Sequence, residues 1–524
     1  MNTKLIVPAC LVLLLLVLLI WLLFKPKTRA VTVPSGAQAG QIFMAPCTVK
    51  LNGKNYQADC GTLVVPEKRT NPAARLIALP VKRIHTSASK PAKPIFYLGG
   101  GPGISNMGFK PPAWLLAEHD IVLVGYRGVD GTPKLDCPEI AKAVTGVGGD
   151  LLSPASLDGM GAAMQVCSDR LQSQGVDLAG YTIPEVVEDM ESARAALGYE
   201  HIDLLSESYG TRVAQIYADM HPASMLRSAM IGVNPPGHFY WDPAVVDAQI
   251  AYYAALWKKA DGAAAPDLVE IMRSVNQSMP KHWLFLSIDP GKVKIIAFSM
   301  LYYRSTAPII FDAYISAAHG DPSGLALMSA AYDFMMPNMM TWGEFFAKGA
   351  SADYNPGQDY RAALTTPGAV LGSPMALLVW GSVGSNWPAN TIPAEYRQVQ
   401  PTNVETLLIS GSIDFSTPAQ FAEQELLPAL QNGQQVIIAE QGHVNDFWGF
   451  QPEARQRLLT SFYNTGKADA SLYQILPMNF KPAMRFPTLA KVLLAVSVLL
   501  VLGIAWGAWS MMRRFSNRQA NLAR

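Results

Sequence analysis

The 524-residue chain has little charge and little cysteine. Only 15% of its residues are charged, and 41 basic against 40 acidic side chains leave a net charge of +1. No basic patch or stripe lies in the middle of the chain, so no nucleic-acid partner is expected. Five cysteines are present, none in a C-x-x-C pair, so no zinc site and no other metal is expected. Repeats and low-complexity tracts are not evident. Histidine is also scarce, at eight residues, so a well-placed imidazole carries weight. What the chain does have is apolar surface: half of it is hydrophobic, with the excess concentrated at the two ends.

The most telling stretch is Ile202-Asp-Leu-Leu-Ser206-Glu207-Ser208-Tyr209-Gly210-Thr211. A strand pattern enters it and a helical pattern leaves it. That is the context of a nucleophile elbow, a serine on a sharp strand-to-helix turn with its hydroxyl exposed. Such a turn needs small residues two before and two after the nucleophile. Ser208 has Ser206 and Gly210 there, whereas Ser206 would be crowded by Leu204. A surface turn after a buried strand is the plainer alternative for this motif taken alone.

Two further loops complete a triad in the order Ser, Asp, His. The apolar run at 406–411 reads as a buried strand and leads into Asp414. The run at 435–440 leads into Gly442-His443. An acid and a histidine thus each follow a strand end, where they can reach one face of a parallel sheet. Taken singly, Asp414 could be a turn-former and His443 a loop residue. Upstream, the strand-like Ile95–Leu98 is followed by Gly99-Gly100-Gly101-Pro102-Gly103. Glycines let backbone N–H groups face a developing negative charge. Gly100 is the first candidate for an oxyanion donor, with Gly101 next. Tyr209, the residue after the nucleophile, is the second donor.

These motifs resemble the α/β-hydrolase branch that holds proline iminopeptidases and tripeptidyl aminopeptidases. Gly99-Gly-Gly-Pro-Gly103, Ser208-Tyr-Gly-Thr, Ser410-Gly-Ser-Ile-Asp414 and Gly442-His443 carry the resemblance, and Cys60-Gly-Thr-Leu-Val-Val-Pro66 and the run at 181–190 add to it. It covers roughly residues 47–463 and is weakest over about 237–401. It implies an α/β-hydrolase core with an inserted cap, serine hydrolysis, and often removal of residues from a free peptide N-terminus. Three departures stand out. Ser206 replaces the elbow glycine. The run at 125–132 lacks the family's leading acid. Cysteines that some relatives carry near Trp387-Pro388 are absent. In the family, acidic cap residues hold a substrate ammonium; Glu344 and Asp353 are available here, and neither is assigned that role.

Alternating strand and helix patterns fit a mostly parallel sheet flanked by helices. Strands are expected at 76–81, 95–98, 121–124, 202–205 and 229–233, with a helix at 184–197. The resulting division is a tether at 30–45, a first core part at 46–233, a helical cap at 234–401 and a second core part at 402–480. The cap holds two Met- and aromatic-rich stretches, 295–314 and 325–346. Met335, Met336, Met339 and Met340 would either line an adaptable apolar pocket or form helix core.

Residues 5–24 and 492–512 are each long and apolar enough to cross a bilayer. The first, within 1–29, reads as a retained anchor rather than a cleaved signal peptide, because Lys25, Lys27 and Arg29 separate it from Ala37-Gln-Ala39. The second, within 488–512, carries Trp506 and Trp509 near one interface. The tail at 513–524 holds Arg513, Arg514, Arg518 and Arg524 and no acid, which places it in the cytoplasm by the positive-inside rule. Two spans then put both termini inside and the catalytic domain outside, in the periplasm or the extracellular space. The basic residues after the first stretch oppose this orientation mildly. Cys10 lies in that stretch. The other four cysteines, an even number, suit an oxidising compartment. They allow three pairings, and the resemblance implies Cys47 with Cys60 and Cys137 with Cys167.

The expectation is a membrane-anchored serine hydrolase that needs no cofactor. Ser208 is the nucleophile, His443 the general base and Asp414 its orienting acid. Its partners are a peptide or acyl-ester substrate and, through two helices, the lipid bilayer. An esterase or lipase, and a silent receptor or scaffold with the same fold, are the rivals.

Overall fold

The computed structural model describes residues 31–522. The apolar stretch at 5–24 lies outside the described residues. The main sheet has nine strands: β1 (Ile42–Leu51), β2 (Lys54–Pro66), β3 (Leu76–Ile84), β4 (Ile95–Leu98), β5 (Ile121–Val124), β6 (Ile202–Glu207), β7 (Met225–Ile231), β8 (Glu405–Gly411) and β9 (Gly433–Ile438). They lie in the order β1-β2-β3-β5-β4-β6-β7-β8-β9. From β5 to β9 every neighbouring pair is parallel, while β1, β2 and β3 are antiparallel to theirs. The short runs β4 and β5 are buried at every position, as parallel strands covered on both faces must be.

The sequence read residues 30–45 as a tether, yet β1 begins at Ile42 and pairs with β2 over its whole length. The turn between them is Asn52-Gly53, both at positive φ, the pairing that a tight right-twisted hairpin requires. Residues of β1 alternate between exposed and half-buried, which is why no apolar run marked the strand. A disulfide ties Cys47 to Cys60 across this hairpin.

The helices that place the site are α1 (Ile183–Ala196), α2 (Tyr209–Met220), α3 (Pro290–Met300), α4 (Ala307–Ala318), α5 (Ser323–Met335), α6 (Trp342–Ala352), α7 (Val444–Gly449), α8 (Pro452–Thr465) and α9 (Phe486–Leu522). Helix α1 starts with Pro184 in its first turn and is followed by Gly198 at φ 76°. It packs with α2 on one face of the sheet, where Val186, Met190, Val213 and Tyr217 meet Phe96, Leu98, Val122 and Leu204. Helix α8 covers the other face with Leu458, Leu459 and Phe462, against Ile95, Leu123, Leu205 and Ile409. Each such side chain contributes about 1.5–3 kcal/mol on leaving water, so the sheet is clamped between two apolar layers.

Helices α3 to α6 lie between β7 and β8 in the chain and share a third apolar core, with Phe298, Phe311, Tyr314, Tyr332 and Trp342 buried in it. Both apolar stretches read from the sequence are interrupted. Residues 301–306 separate α3 from α4, and the turn at Met336–Asn338 separates α5 from α6. The chain beside these breaks meets the loops that carry His443 and Gly103, as described below. A second disulfide joins Cys137 to Cys167.

Helix α9 is continuous through Leu522, beyond the expected end of the span at 512. Its first turns dock on α4 and on the loop that follows it. The Phe486 N–H donates to Asp312 Oδ2 at 2.7 Å, Arg485 Nη2 to Ser316 Oγ at 2.8 Å and Lys491 Nζ to Asp321 Oδ2 at 2.7 Å. Farther along, Leu499, Val501, Leu502, Ile504 and Trp506 are exposed. Phe486–Ile504, 19 residues, is the one segment among the described residues that is long and apolar enough to cross a membrane.

Candidate active site

Strand β6 ends at Glu207 and α2 begins at Tyr209, so Ser208 sits alone on the turn. Its φ of 50° and ψ of −120° are strained for a residue with a side chain, as an elbow demands. A Cβ at Gly210 would overlap the Leu98 carbonyl, so only glycine fits two places after the serine. Ser206 is fully buried and donates its hydroxyl to the Ala229 carbonyl at 3.2 Å, facing the sheet rather than the cleft.

Asp414 and His443 come to this serine from the loops after β8 and β9. Ser208 Oγ lies 2.9 Å from His443 Nε2, and His443 Nδ1 lies 2.8 Å from Asp414 Oδ2. With the carboxylate at Nδ1, that nitrogen carries the hydrogen and Nε2 is left to accept from the serine hydroxyl. Asp414 is fully buried, and its Oδ1 accepts the N–H groups of Ser416 at 2.9 Å and Thr417 at 2.8 Å. The Thr417 hydroxyl donates to Asp414 Oδ2 at 2.8 Å and lies 3.2 Å from His443 Nδ1. The sequence reading passed over Thr417. Its signal was present: serine and threonine two and three residues past an aspartate form the turn in which that carboxylate accepts their N–H groups.

The glycine loop runs directly against the elbow, since a Cβ at Gly100 would lie 2.8 Å from Ser208 Cβ. Its N–H groups are not equivalent. Gly99 donates to the buried Asn106 Oδ1 at 2.7 Å, and Gly103 donates to Glu344 Oε2. The Gly100 and Gly101 N–H groups have no intramolecular acceptor among the described residues and stay available to a ligand. Tyr209 occupies the first position of α2, where a backbone N–H has no partner within its own helix. The two candidate donors therefore flank Ser208.

Two buried acids brace the site, and neither was singled out from the sequence. Glu207 accepts from Tyr97 Oη at 2.7 Å and Trp448 Nε1 at 2.6 Å, joining the elbow to α7 just after His443; burial pushes its carboxyl up. Asp446 Oδ2 accepts from the Gly442 N–H at 2.7 Å and the Arg304 N–H at 2.9 Å; burial pushes it up as well. The segment between α3 and α4 thus reaches the histidine loop.

The acids considered for a substrate ammonium are both occupied. Glu344 Oε1 lies 2.6 Å from Lys348 Nζ, with both side chains fully buried. Burial raises the carboxyl and lowers the ammonium, while each partner opposes the shift of the other. Asp353 Oδ1 lies 3.0 Å from Arg212 Nη1, and that guanidinium holds its carboxyl below the usual range despite burial. Arg127, in the run at 125–132, is fully buried and pairs with Asp189 at 2.6 Å. Cys137, Cys167 and Glu139 lie together, but both sulfurs belong to the disulfide and offer no thiolate to a metal.

A family model described as the alpha/beta hydrolase fold matches residues 93–268, which span the glycine loop and the elbow. Two curated relatives are tripeptidyl aminopeptidases. The one from Streptomyces lividans is 24% identical over 455 residues, covering 78% of this chain and 82% of the relative. The one from Streptomyces coelicolor is 25% identical over 407 residues, covering 69% and 73%. Among solved structures, the proline iminopeptidase of Mycobacterium smegmatis aligns at a TM-score of 0.38 with 14% identity, covering 77% of this chain and 98% of that one. This chain has the α/β-hydrolase fold, and over most of its length it is similar to tripeptidyl aminopeptidases.

Proposed function

We propose that the protein is a membrane-anchored serine hydrolase that cleaves an amide or ester through an acyl-enzyme, acting as an aminopeptidase-like peptidase. The observation that carries this reading is the hydrogen-bonded line from Ser208 through His443 to Asp414, with steps of 2.9 and 2.8 Å, at a strained elbow. Ser208 Oγ attacks the substrate carbonyl as His443 Nε2 takes its proton. The oxyanion that forms is met by the N–H groups of Gly100 and Tyr209. His443 then gives the proton to the leaving group, and Asp414 stabilises the imidazolium in between. Water, activated by the same histidine, releases the acyl group and restores Ser208.

The peptidase half of the proposal is supported by the two Streptomyces relatives. One observation favours the esterase reading instead: Glu344 and Asp353 are both engaged in buried ion pairs, and an ester substrate needs no ammonium subsite. The discriminating assay offers purified protein peptidyl amides with free and with acylated N-termini, beside acyl esters. The peptidase reading expects free-terminus amides to be cleaved with the highest kcat/KM. Turnover of acyl esters alone would replace it with the esterase.

Anchoring is supported by Phe486–Ile504, whose 19 residues extend about 28 Å as a helix, close to the thickness of a bilayer core. The basic residues after it support a cytoplasmic tail. The disulfides Cys47–Cys60 and Cys137–Cys167 suit an oxidising compartment for the catalytic domain. The stretch at 5–24 would supply the second span.

A further inference from the structure

The loop Gly99–Gly103 carries the candidate oxyanion donor, and it is held at both ends. The core holds the near end: Asn106 Oδ1 accepts the Gly99 N–H at 2.7 Å, and Tyr126 Oη donates to the Gly99 carbonyl at 3.0 Å. The far end is held from a different part of the chain, the start of α6. The Gly103 carbonyl accepts the Thr341 N–H at 2.8 Å, and the Gly103 N–H donates to Glu344 Oε2. Gly103 has a φ of 81°, and a Cβ there would lie 2.9 Å from the Thr341 carbonyl. Only glycine fits this grip.

Glu344 is an odd choice for a buried position that merely needs filling. Its side chain is fully buried, and a Cβ at Gly128 would lie 3.1 Å from its Cγ. Burying a carboxyl costs free energy unless each oxygen finds a partner. Here each does: Lys348, one helical turn on and equally buried, takes Oε1 at 2.6 Å, and Gly103 takes Oε2. Whichever of the pair holds the shared proton, the oxygen facing Gly103 remains an acceptor. With both oxygens engaged, the side chain has none left for a substrate ammonium.

We propose that Glu344, fixed by Lys348, is a positioning residue that anchors the far end of the oxyanion loop and so sets the direction of the Gly100 and Gly101 N–H groups beside Ser208. The inference rests on the serine-hydrolase reading above. Glu344 contacts no reacting atom. Its effect belongs to the transition state, where the oxyanion appears, and not to ground-state binding.

The test compares full-length wild type with Glu344→Leu, Glu344→Gln and Lys348→Met, in detergent. It uses a small acyl ester, a free-terminus peptidyl amide and the rate of labelling by a fluorophosphonate, whose adduct also places an oxygen in the oxyanion site. Glu344→Leu is expected to lower kcat and the labelling rate on the order of 100-fold, as loss of an ordered oxyanion donor does. KM should stay within about twofold, as expected when an interaction made only in the transition state is lost. Glu344→Gln keeps an acceptor for Gly103, and its labelling should recover to within about tenfold of wild type, the residual loss being roughly one hydrogen bond's worth. If Glu344→Leu does not fold, the proposal still requires Glu344→Gln and Lys348→Met each to slow labelling several-fold in folded protein. Two outcomes overturn it. One is unchanged kcat and labelling per folded molecule with only a lower melting temperature. The other is a raised KM confined to free-terminus peptides, which would make Glu344 an ammonium ligand. If folded wild type itself takes no label, the serine reading fails and this inference falls with it, whereas a labelled wild type with unaltered variants overturns the inference alone.

Discussion

His443 donates its backbone N–H to the carbonyl of Tyr302 across 2.7 Å, so a segment from between β7 and β8 fixes the loop that carries the histidine. The Tyr302 ring also meets the imidazole edge-on at 5.6 Å between centroids. The contact leaves no room at the neighbouring residue: a Cβ at Gly442 would overlap the Tyr302 carbonyl and come within 2.8 Å of Asp446 Oδ2. Gly442→Ala should therefore separate the two segments. We expect destabilisation of about 1–3 kcal/mol and a fall in kcat of about 100-fold, the scale of a misplacement of about 1 Å. Melting temperature and steady-state kinetics check this; wild-type kcat in the variant would show that the Tyr302 contact does not position His443.

Thr417 supplies the second prediction. Its hydroxyl donates to Asp414 Oδ2 beside the imidazole. Thr417→Val keeps the shape and removes that bond, and should lower kcat about tenfold, for roughly 1.5 kcal/mol, the low end for a hydrogen bond to a charged group. Thr417→Ser should retain near wild-type kcat. Equal kinetics for the valine and serine variants would show that the hydroxyl is not part of the relay.

The sequence made much of this site legible, and the reasons are local. Ser208, Asp414 and His443 each follow a short apolar strand, and β4 and β5 appear with the bounds their apolar runs suggest, because a buried parallel strand has no polar face to blur its ends. The β1–β2 hairpin was missed because its side chains are half-exposed, although Asn52-Gly53 marked the turn. The gap at 301–306 was marked only from beyond it, by Pro308 in the first turn of α4. Leu301-Tyr-Tyr-Arg-Ser-Thr306 has no glycine or proline, and the helix stops there where Tyr302 and Arg304 meet Gly442, His443 and Asp446. Tertiary contact, not propensity, ends α3. Glu344 was visible as an acid in an apolar stretch, but its partners Gly103 and Lys348 are set by packing.

Asp203 gives a pH prediction. It lies inside β6 with Oδ1 unpartnered, and burial pushes its carboxyl up to about 7. The unfolded value is about 3.9. Between these values the unfolded chain loses the proton while the folded chain keeps it, so stability falls as pH rises from about 4 to about 7 and then levels off. The full effect is at most about 4 kcal/mol. Asp203→Asn should remove the slope, raising the melting temperature at pH 8 and changing it little at pH 4. Parallel curves for wild type and variant would contradict the assignment.

Topology is testable in cells. A tag fused after Arg524 should survive protease added to sealed, right-side-out cells or spheroplasts, while the domain carrying Ser208 is digested. Loss of the tag with protection of Ser208 would invert the orientation. A mature N-terminus near Gly40 would leave α9 as the sole anchor.

The most direct test of the central claim is the site of covalent capture. Full-length protein, Ser208→Ala and Ser206→Ala are treated with a fluorophosphonate, and the adduct is mapped by mass spectrometry. The account predicts a single adduct on Ser208, absent from Ser208→Ala and retained in Ser206→Ala. Folded wild-type protein that takes no label, or a Ser208→Ala variant labelled as fast as wild type, would contradict it.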